Sequence, residues 1–355
     1  MQSAPVTGED EMAAFWNESD FDDHELVQLV TDRASGLTAI IAVHSTHLGP
    51  AAGGTRFWHY AQPSDGMRDA LRLSRGMSYK NAMASLPAGG GKAVILADDE
   101  RTKTPEMLAA FARAVDRLAG RYITAQDVGM SEADMVALSA VTRHVAGLPG
   151  QQGGDPGPFT ARGVYLGVVA AARRALGAAD MAGVRVAIQG VGSVGGGLAR
   201  HLAAAGASLV LADIDSARAK ALADELGASA VPTDEVLAAD VDIVAPCALG
   251  AVMTERSVEA IRAKAVAGGA NNQLATGAEG RMLFDRGILY APDYVINAGG
   301  IVSVLRHIDG ADDDAINARI DLIPGRLEAI WEESARTGEP ANAVADRMAQ
   351  QLIGR

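Results

Sequence analysis

Between Glu25 and Val43 the chain is apolar, breaks at ASG, and resumes as LTAIIAV. Ser35 and Gly36 supply turn chemistry at the break, so the pattern predicts two strands and the start of a sheet. From Ser64 to Ala84 the spacing changes. Met67, Ala70, Leu71, Leu73, Ser74, Met77 and Met83 recur as a helix face would, with Ser64 as the expected cap. GGGKAVIL then reads as a glycine turn entering a buried strand, with Lys92 at its beginning. A helix from Thr104 to Ala119 and a short strand, YITA, follow, and Asp127 comes just after that strand.

GLPGQQGGDPGPF gathers glycine and proline over thirteen residues, and the domain boundary is expected there. Beyond it, a helix from Thr160 to Leu176 leads into GVRVAIQGVGSVGGGLARHLAAAGASLVLADID, a strand, glycine turn, helix and second strand that make one βαβ unit. The apolar runs VDIVAPC, AVAGGA and ILYAPDYVINAG alternate with helical segments, as in a parallel sheet covered on both faces. The fold class is therefore α/β in two domains with a cleft between them. An N-terminal α/β domain is expected over residues 1–150, a Rossmann-type dinucleotide-binding domain over 151–335, and a C-terminal helix over 336–355 that packs back on the first domain.

Composition narrows the function. The chain has 355 residues, 48% of them hydrophobic, enough for two cores. A formal net charge of −13 repels phosphate backbones and anionic bilayers, so neither nucleic acid nor membrane is an expected partner, and small molecules are. Apolar runs such as LTAIIAV fall short of the roughly 20 residues that cross a bilayer. The N-terminus is acidic where a targeting signal would be basic. The single cysteine, Cys247, cannot form an intrachain disulfide, and no Cys/His cluster has metal-ligand spacing. No metal is expected, and a cytoplasmic location fits.

Gly190, Gly192 and Gly195 match G-x-G-x-x-G, follow the strand RVAIQ and open a helix. In that context the first glycine permits the tight turn, the second lets the backbone approach a pyrophosphate, and the third lets helix and strand pack closely. Asp213 ends the second strand, where a carboxylate accepts from a ribose 2′-hydroxyl and repels a 2′-phosphate, so NAD is expected rather than NADP. Two other readings stay open: Asp213 caps the turn at DIDS, and Arg218 meets a phosphate.

Lys80 and Lys92 stand twelve residues apart among alanine, glycine and apolar side chains. A buried lysine loses hydration, gives up its proton more easily and becomes usable as a base; Lys92, behind three glycines, suits that role. Lys80, on a helix, suits a charged partner for a substrate carboxylate. Either lysine alone can equally be a solvated surface residue.

The stretches LGPAAGGTRFW, RLSRGMSYKNAMASLPAGGGKAVI, YITAQDVG, GPFTARGVYLG, AIQGVGSVGGGLA, VDIVAPCALGAV, AGGANNQL and DYVINAGGIVSV together resemble the leucine, phenylalanine and valine dehydrogenases, within the glutamate dehydrogenase superfamily. The resemblance covers nearly the whole chain, in order. It implies reversible oxidative deamination of an L-amino acid to a 2-oxo acid and ammonia, with NAD. The first domain would then bind substrate and assemble a homo-oligomer, dimer or octamer. It also implies that Lys80 holds the substrate carboxylate, Lys92 activates the attacking water, and Asp127 exchanges protons with the amino group. Gly53 and Gly54 would form a backbone wall near the substrate, Asn271 would touch substrate and nicotinamide, and Thr160 would lie near the carboxamide. Val191, Ser193, Val194, Ile214, Cys247 and Ala248 complete the implied cofactor set. Thr160 as a helix N-cap, Asn271 as a turn former and Asp127 as a cap remain the plain alternatives.

The positions that the family uses to read the side chain map onto Ala52, Ala125, Ile301 and Val304, with Met77 nearby. None is charged. The glutamate branch places a lysine where Ala52 stands, and without it a distal carboxylate would be buried unpaired. Alanine at 52 leaves room for a bulky side chain while Ile301 restricts it, so leucine, valine and phenylalanine types all stay open. Glutamate dehydrogenase and a catalytically silent NAD-binding protein are the rival readings. One departure stands out: LRHIDG follows NAGGIVSV where leucine and phenylalanine enzymes carry an acidic ADE-like segment, putting Arg306 and His307 in place of acidic character.

Overall fold

The computed structural model describes residues 20–148, 155–248 and 250–355. Contacts divide the chain into two units: one built from the segments up to Thr46, Ala51–Met77 and Gly90–His144, the other from His47–Pro50, Ser78–Gly89 and everything from Val145. The acidic N-terminus and the middle of the glycine- and proline-rich stretch lie outside the described residues. The division falls between His144 and Val145, just before that stretch.

The first unit contains β1 (Leu26–Asp32), β2 (Leu37–Ser45), β3 (Ala51–Trp58), most of α1 (Pro63–Met83), β4 (Gly89–Leu96), α2 (Pro105–Asp116), β5 (Tyr122–Gln126) and α3 (Glu132–Ser139). Its sheet runs β1-β2-β4-β3-β5. β1 and β2 pair antiparallel through a turn where Gly36 takes φ +73° and Ser35 Oγ donates to Asp32 Oδ2 at 2.9 Å. α1 begins at Pro63, whose fixed φ suits a first helical position, so Ser64 lies inside the first turn. Its apolar stripe works as its spacing predicts: Ala70 and Leu71 pack on Ile40, Ala42 and Val94 of the sheet. Burying a leucine such as Leu71 contributes about 1.5–3 kcal/mol.

The second unit contains α4 (Gly157–Leu176), β6 (Arg185–Gln189), α5 (Ser193–Ala204), β7 (Ser208–Ala212), α6 (Ser216–Leu226), β8 (Ser229–Ala230), β9 (Ile243–Pro246), α7 (Glu255–Ala260) and β10 (Ala265–Val266). It continues with α8 (Gly277–Asp285), β11 (Leu289–Tyr290), α9 (Asp293–Ile296), α10 (Gly299–Val304), α11 (Arg306–Asp309), α12 (Asp313–Ile320), α13 (Ile323–Thr337) and α14 (Ala341–Leu352). The sheet order is β11-β10-β9-β6-β7-β8, with every pair parallel. Read from its first strand this is the 3-2-1-4-5-6 order of a doubly wound fold, with the reversal between β6 and β9. A ligand crevice belongs at the carboxyl ends of those two strands. The C-terminal α14 packs on α8 and α13, Tyr294 Oη donates to Asp346 at 2.8 Å, and Gln350 donates to Tyr79 Oη at 3.0 Å. No helix among the described residues is long and apolar enough to cross a membrane.

Candidate active site

β3 lies between β4 and β5, so Lys92 from the middle of β4, Arg56 on β3 and Asp127 just past the end of β5 come together. Lys92 Nζ forms an ion pair with Asp127 Oδ2, and Lys92 as a whole is only 7% exposed. The glycines of the two motifs make this approach possible. A Cβ on Gly54 would stand 2.7 Å from Asp127 Cβ, and one on Gly53 would stand 1.8 Å from Gly91 O and 3.2 Å from Met77 Cγ. The turn after Asp127 is pinned: Phe57 N–H donates to Val128 O at 2.9 Å and Gln126 Nε2 to Met130 O at 3.0 Å. Asp127 is thus held by strand pairing and by a braced loop; it does not cap a helix, since α3 is capped by Ser131. Ala52 and Ala125 are buried on β3 and β5.

Burial disfavours the Lys92 ammonium and, although Asp127 opposes it, leaves the group below the ordinary lysine range. Burial, the largest single effect, would raise the Asp127 carboxyl, but the charge and hydrogen bond of Lys92, the Val128 N–H and the Arg56 charge together outweigh it and hold Asp127 below its usual range. A third charged group meets them that the motif reading passed over. Arg56 Nε lies 3.5 Å from Asp127 Oδ2, while its NH1 lies 2.6 Å from Asp69 Oδ2. Tyr60 Oη donates to the same Asp69 oxygen at 2.7 Å, and Arg72 to Oδ1 at 3.1 Å. The available signal was an arginine in GGTRFW, a charged residue inside a strand whose neighbours Thr55 and Phe57 are buried.

In the second unit, Lys80 Nζ donates to Asn271 Oδ1 at 3.4 Å, joining two residues expected at the substrate. Asn271 Oδ1 also accepts from Asn297 Nδ2 at 2.9 Å. It is Asn272, at φ +52°, that takes the left-handed turn position, which leaves the Asn271 side chain for these contacts. Asp293 braces that turn by accepting from Gln273 N–H at 3.1 Å. Burial raises the Asp293 carboxyl, against the pull of those N–H groups and of Lys80.

The glycine loop occupies the switch point. Gly190 has φ +88°, and a Cβ there would lie 2.8 Å from Ala248 N; a Cβ on Gly195 would lie 1.9 Å from Gly190 O and 3.0 Å from Cys247 Cβ. Cys247 and Ala248, directly after β9, therefore belong to this loop's surroundings, and burial pushes the Cys247 thiol up to about 11. Nothing lies within 4 Å of a Cβ built on Gly192, the residue that precedes α5, and α5 has no side-chain cap and no acidic residue in its first turn. Ser193 begins that helix and its Oγ donates to Asp155 at 3.3 Å; Val194 packs near Gly269. Asp213 accepts from Val191 N–H at 2.8 Å and from Asp215 N–H at 2.9 Å, while Asp215 caps α6. Asp213 thus ties the DIDS turn to the glycine loop, and Arg218 lies 3.7 Å from it. Ile214 beside it is 93% exposed.

Thr160 does not cap α4. The helix starts at Gly157, and Thr160 Oγ1 donates to Pro156 O at 2.9 Å, close against Gly300 of α10. Ile301 and Val304 lie partly buried on that helix. Arg306 does not put an open cation there: it is 6% exposed, donates to Ser303 O and Asp313 Oδ1, and stacks on Phe159. The side chain of His307 lies outside the described residues.

These features define an α/β protein with a doubly wound dinucleotide fold and a buried lysine–aspartate pair in a separate unit. Residues 24–144 match the Glu/Leu/Phe/Val dehydrogenase dimerisation domain, and residues 211–307 the Glutamate/Leucine/Phenylalanine/Valine dehydrogenase domain. The chain is 45% identical to leucine dehydrogenase of Bacillus subtilis over 94% of its length and 92% of the relative's. It is 46% identical to valine dehydrogenase of Streptomyces albus over 94% of its length and 93% of the relative's. Among solved structures, L-tryptophan dehydrogenase from Nostoc punctiforme superposes with a TM-score of 0.85 at 41% identity, covering 93% of this chain and 96% of that one. The chain belongs to the Glu/Leu/Phe/Val dehydrogenase family and is an amino acid dehydrogenase, an oxidoreductase.

Proposed function

We propose that this enzyme catalyses the NAD-dependent, reversible oxidative deamination of an apolar L-amino acid to its 2-oxo acid and ammonia. The observation that carries the reading is the pairing of buried Lys92 with half-buried Asp127, a lysine eased toward its neutral form beside an ionised carboxylate. In this reading Lys80 holds the substrate carboxylate, assisted by Asn271. Asp127 takes a proton from the substrate ammonium. NAD supplies the acceptor for the hydride that leaves Cα. Neutral Lys92 then takes a proton from water as the water oxygen bonds to the imine carbon, and Asp127 returns its proton to nitrogen; the C–N bond then breaks as the C=O forms, and the remaining hydroxyl proton leaves with ammonia as ammonium.

The open face of Gly192 and the uncapped start of α5 fit a pyrophosphate. The Asp213 carboxylate has lone pairs left for ribose hydroxyls, which favours NAD over NADP. Ile214 offers an apolar face to adenine, and Thr160, Cys247 and Ala248 complete the cofactor surroundings. Ala52, Ala125, Met77, Ile301 and Val304 are the side-chain readers, with Gly53 and Gly54 as substrate wall. The protein is cytoplasmic in this reading and a homo-oligomer, dimer or octamer, built through the first domain.

NADH formation on leucine, valine, phenylalanine, tryptophan and glutamate tests the proposal. Turnover of the apolar substrates is expected. Preference for glutamate would overturn the reading of Ala52, whose side chain is uncharged and fully buried, and preference for NADP would overturn that of Asp213.

A further inference from the structure

Three side chains converge on Asp69, the cations Arg56 and Arg72 and the neutral phenol of Tyr60, and Arg56 reaches onward to the Lys92–Asp127 pair. Arg56 donates from Nη1 to Asp69 at 2.6 Å and holds its Nε 3.5 Å from Asp127, an ion pair without a hydrogen bond. Asp69 is held on its other sides by Tyr60 at 2.7 Å and Arg72 at 3.1 Å, so the anchor is itself fixed. Arg56 and Lys92 approach the same oxygen of Asp127, Oδ2. Lys92 hydrogen-bonds that oxygen, whereas Arg56 Nε makes no hydrogen bond there and acts on it through its charge at 3.5 Å.

We propose that Arg56, anchored by Asp69, is a positioning residue for deamination: it holds a second positive charge beside the Asp127 oxygen that Lys92 engages and so competes with Lys92 for that carboxylate. The inference rests on the roles proposed above for Lys92 and Asp127. The charged groups around Lys92 are Asp127 after β5, Arg56 on β3 and Asp69 on α1, while from β2 its register neighbour is the uncharged Ala42. Among these, Arg56 disfavours the Lys92 ammonium, whereas Asp127 and Asp69 favour it.

The two ends of the relay should therefore act in opposite directions. Arg56→Gln removes the competing cation and leaves Asp127 wholly to Lys92. The limb of the kcat/KM profile that rises as Lys92 deprotonates should move to higher pH, and kcat should fall by about tenfold or more, with a much smaller change in KM. Asp69→Asn keeps the cation but frees it to engage Asp127 fully and deletes an anion near Lys92, so the same limb should move to lower pH. Arg56→Lys, which cannot span both carboxylates, should recover only part of the kcat lost in Arg56→Gln. The profiles are measured on the full-length enzyme with L-leucine, or with whichever amino acid of the panel turns over fastest. A limb that stays in place in both variants, or moves the same way in both, overturns the proposal; should Arg56→Gln fail to fold, the direction in Asp69→Asn decides alone. Lys92→Ala separates the two levels. Retained deamination there defeats the Lys92 role, whereas lost deamination with unmoved profiles in the Arg56 and Asp69 variants defeats only the relay.

Discussion

Two lysines twelve residues apart have opposite surroundings. Lys92 lies inside a sheet against one carboxylate, and burial works against its charge. Lys80 is partly exposed on α1 and donates to a neutral amide. Their loss should separate in kinetics: Lys92→Ala should lower kcat by 100-fold or more, on the order expected for a general base. Lys80→Gln should instead raise KM for the amino acid, since it removes the charge to which the proposed function gives the substrate carboxylate. Because Lys92 must be neutral to accept a proton, wild-type kcat/KM should rise with pH through its lowered value, while Asp127, held ionised, adds no limb near neutrality. Steady-state rates across pH check both statements, and a wild-type profile flat over this range would count against Lys92 as base. Lys80, Lys92 and Asp127 were legible as residues of interest because each interrupts an apolar run or follows a strand. Arg56 was not, since nothing in GGTRFW says which carboxylates an arginine will meet after the strands pair.

At the scale of elements, the glycines divide by what surrounds them. Gly195 is a packing glycine, for its missing Cβ lets α5 approach the turn after β6, whereas Gly192 faces open space. Gly195→Ala should therefore destabilise the second unit by about 1–3 kcal/mol through overpacking, read as a lower Tm. Gly192→Ala should leave Tm almost unchanged and weaken NAD binding measured by calorimetry. Equal effects of the two substitutions on stability would refute the distinction. The strands and longer helices follow their hydrophobic period closely, as in β6, where the apolar run and the strand coincide, but β4 starts at Gly89, so the glycines expected as a turn are strand residues and Lys92 is the fourth residue of the strand rather than its beginning. Boundaries departed where caps intervened: α4 begins at Gly157 because proline and glycine start it, which moves Thr160 inside the helix. Likewise the turn at GANN falls on Asn272, a choice between adjacent asparagines that local sequence does not make.

For the whole molecule, the net charge of −13 keeps copies apart at long range, so assembly must rest on short-range contacts. Light scattering at moderate salt should give a mass that is a multiple of 36.6 kDa; a single-chain mass would refute the oligomer. The sequence by itself determined the α/β class and the βαβ unit with its glycine loop, and it singled out the two lysines, the aspartate and the uncharged positions to which the proposed roles are assigned. These are properties of periodicity, of glycine's missing Cβ and of residue chemistry, all local along the chain. Only the tertiary structure decided that Arg56 and Lys92 share one oxygen of Asp127, that Asn271 meets Lys80, and that Arg306 turns inward to Asp313 and Phe159. The physical reason is the same in each case: a charged or polar side chain takes its properties from partners that the packing of strands, helices and loops brings close, and those partners lie from seven to nearly two hundred residues away along the chain.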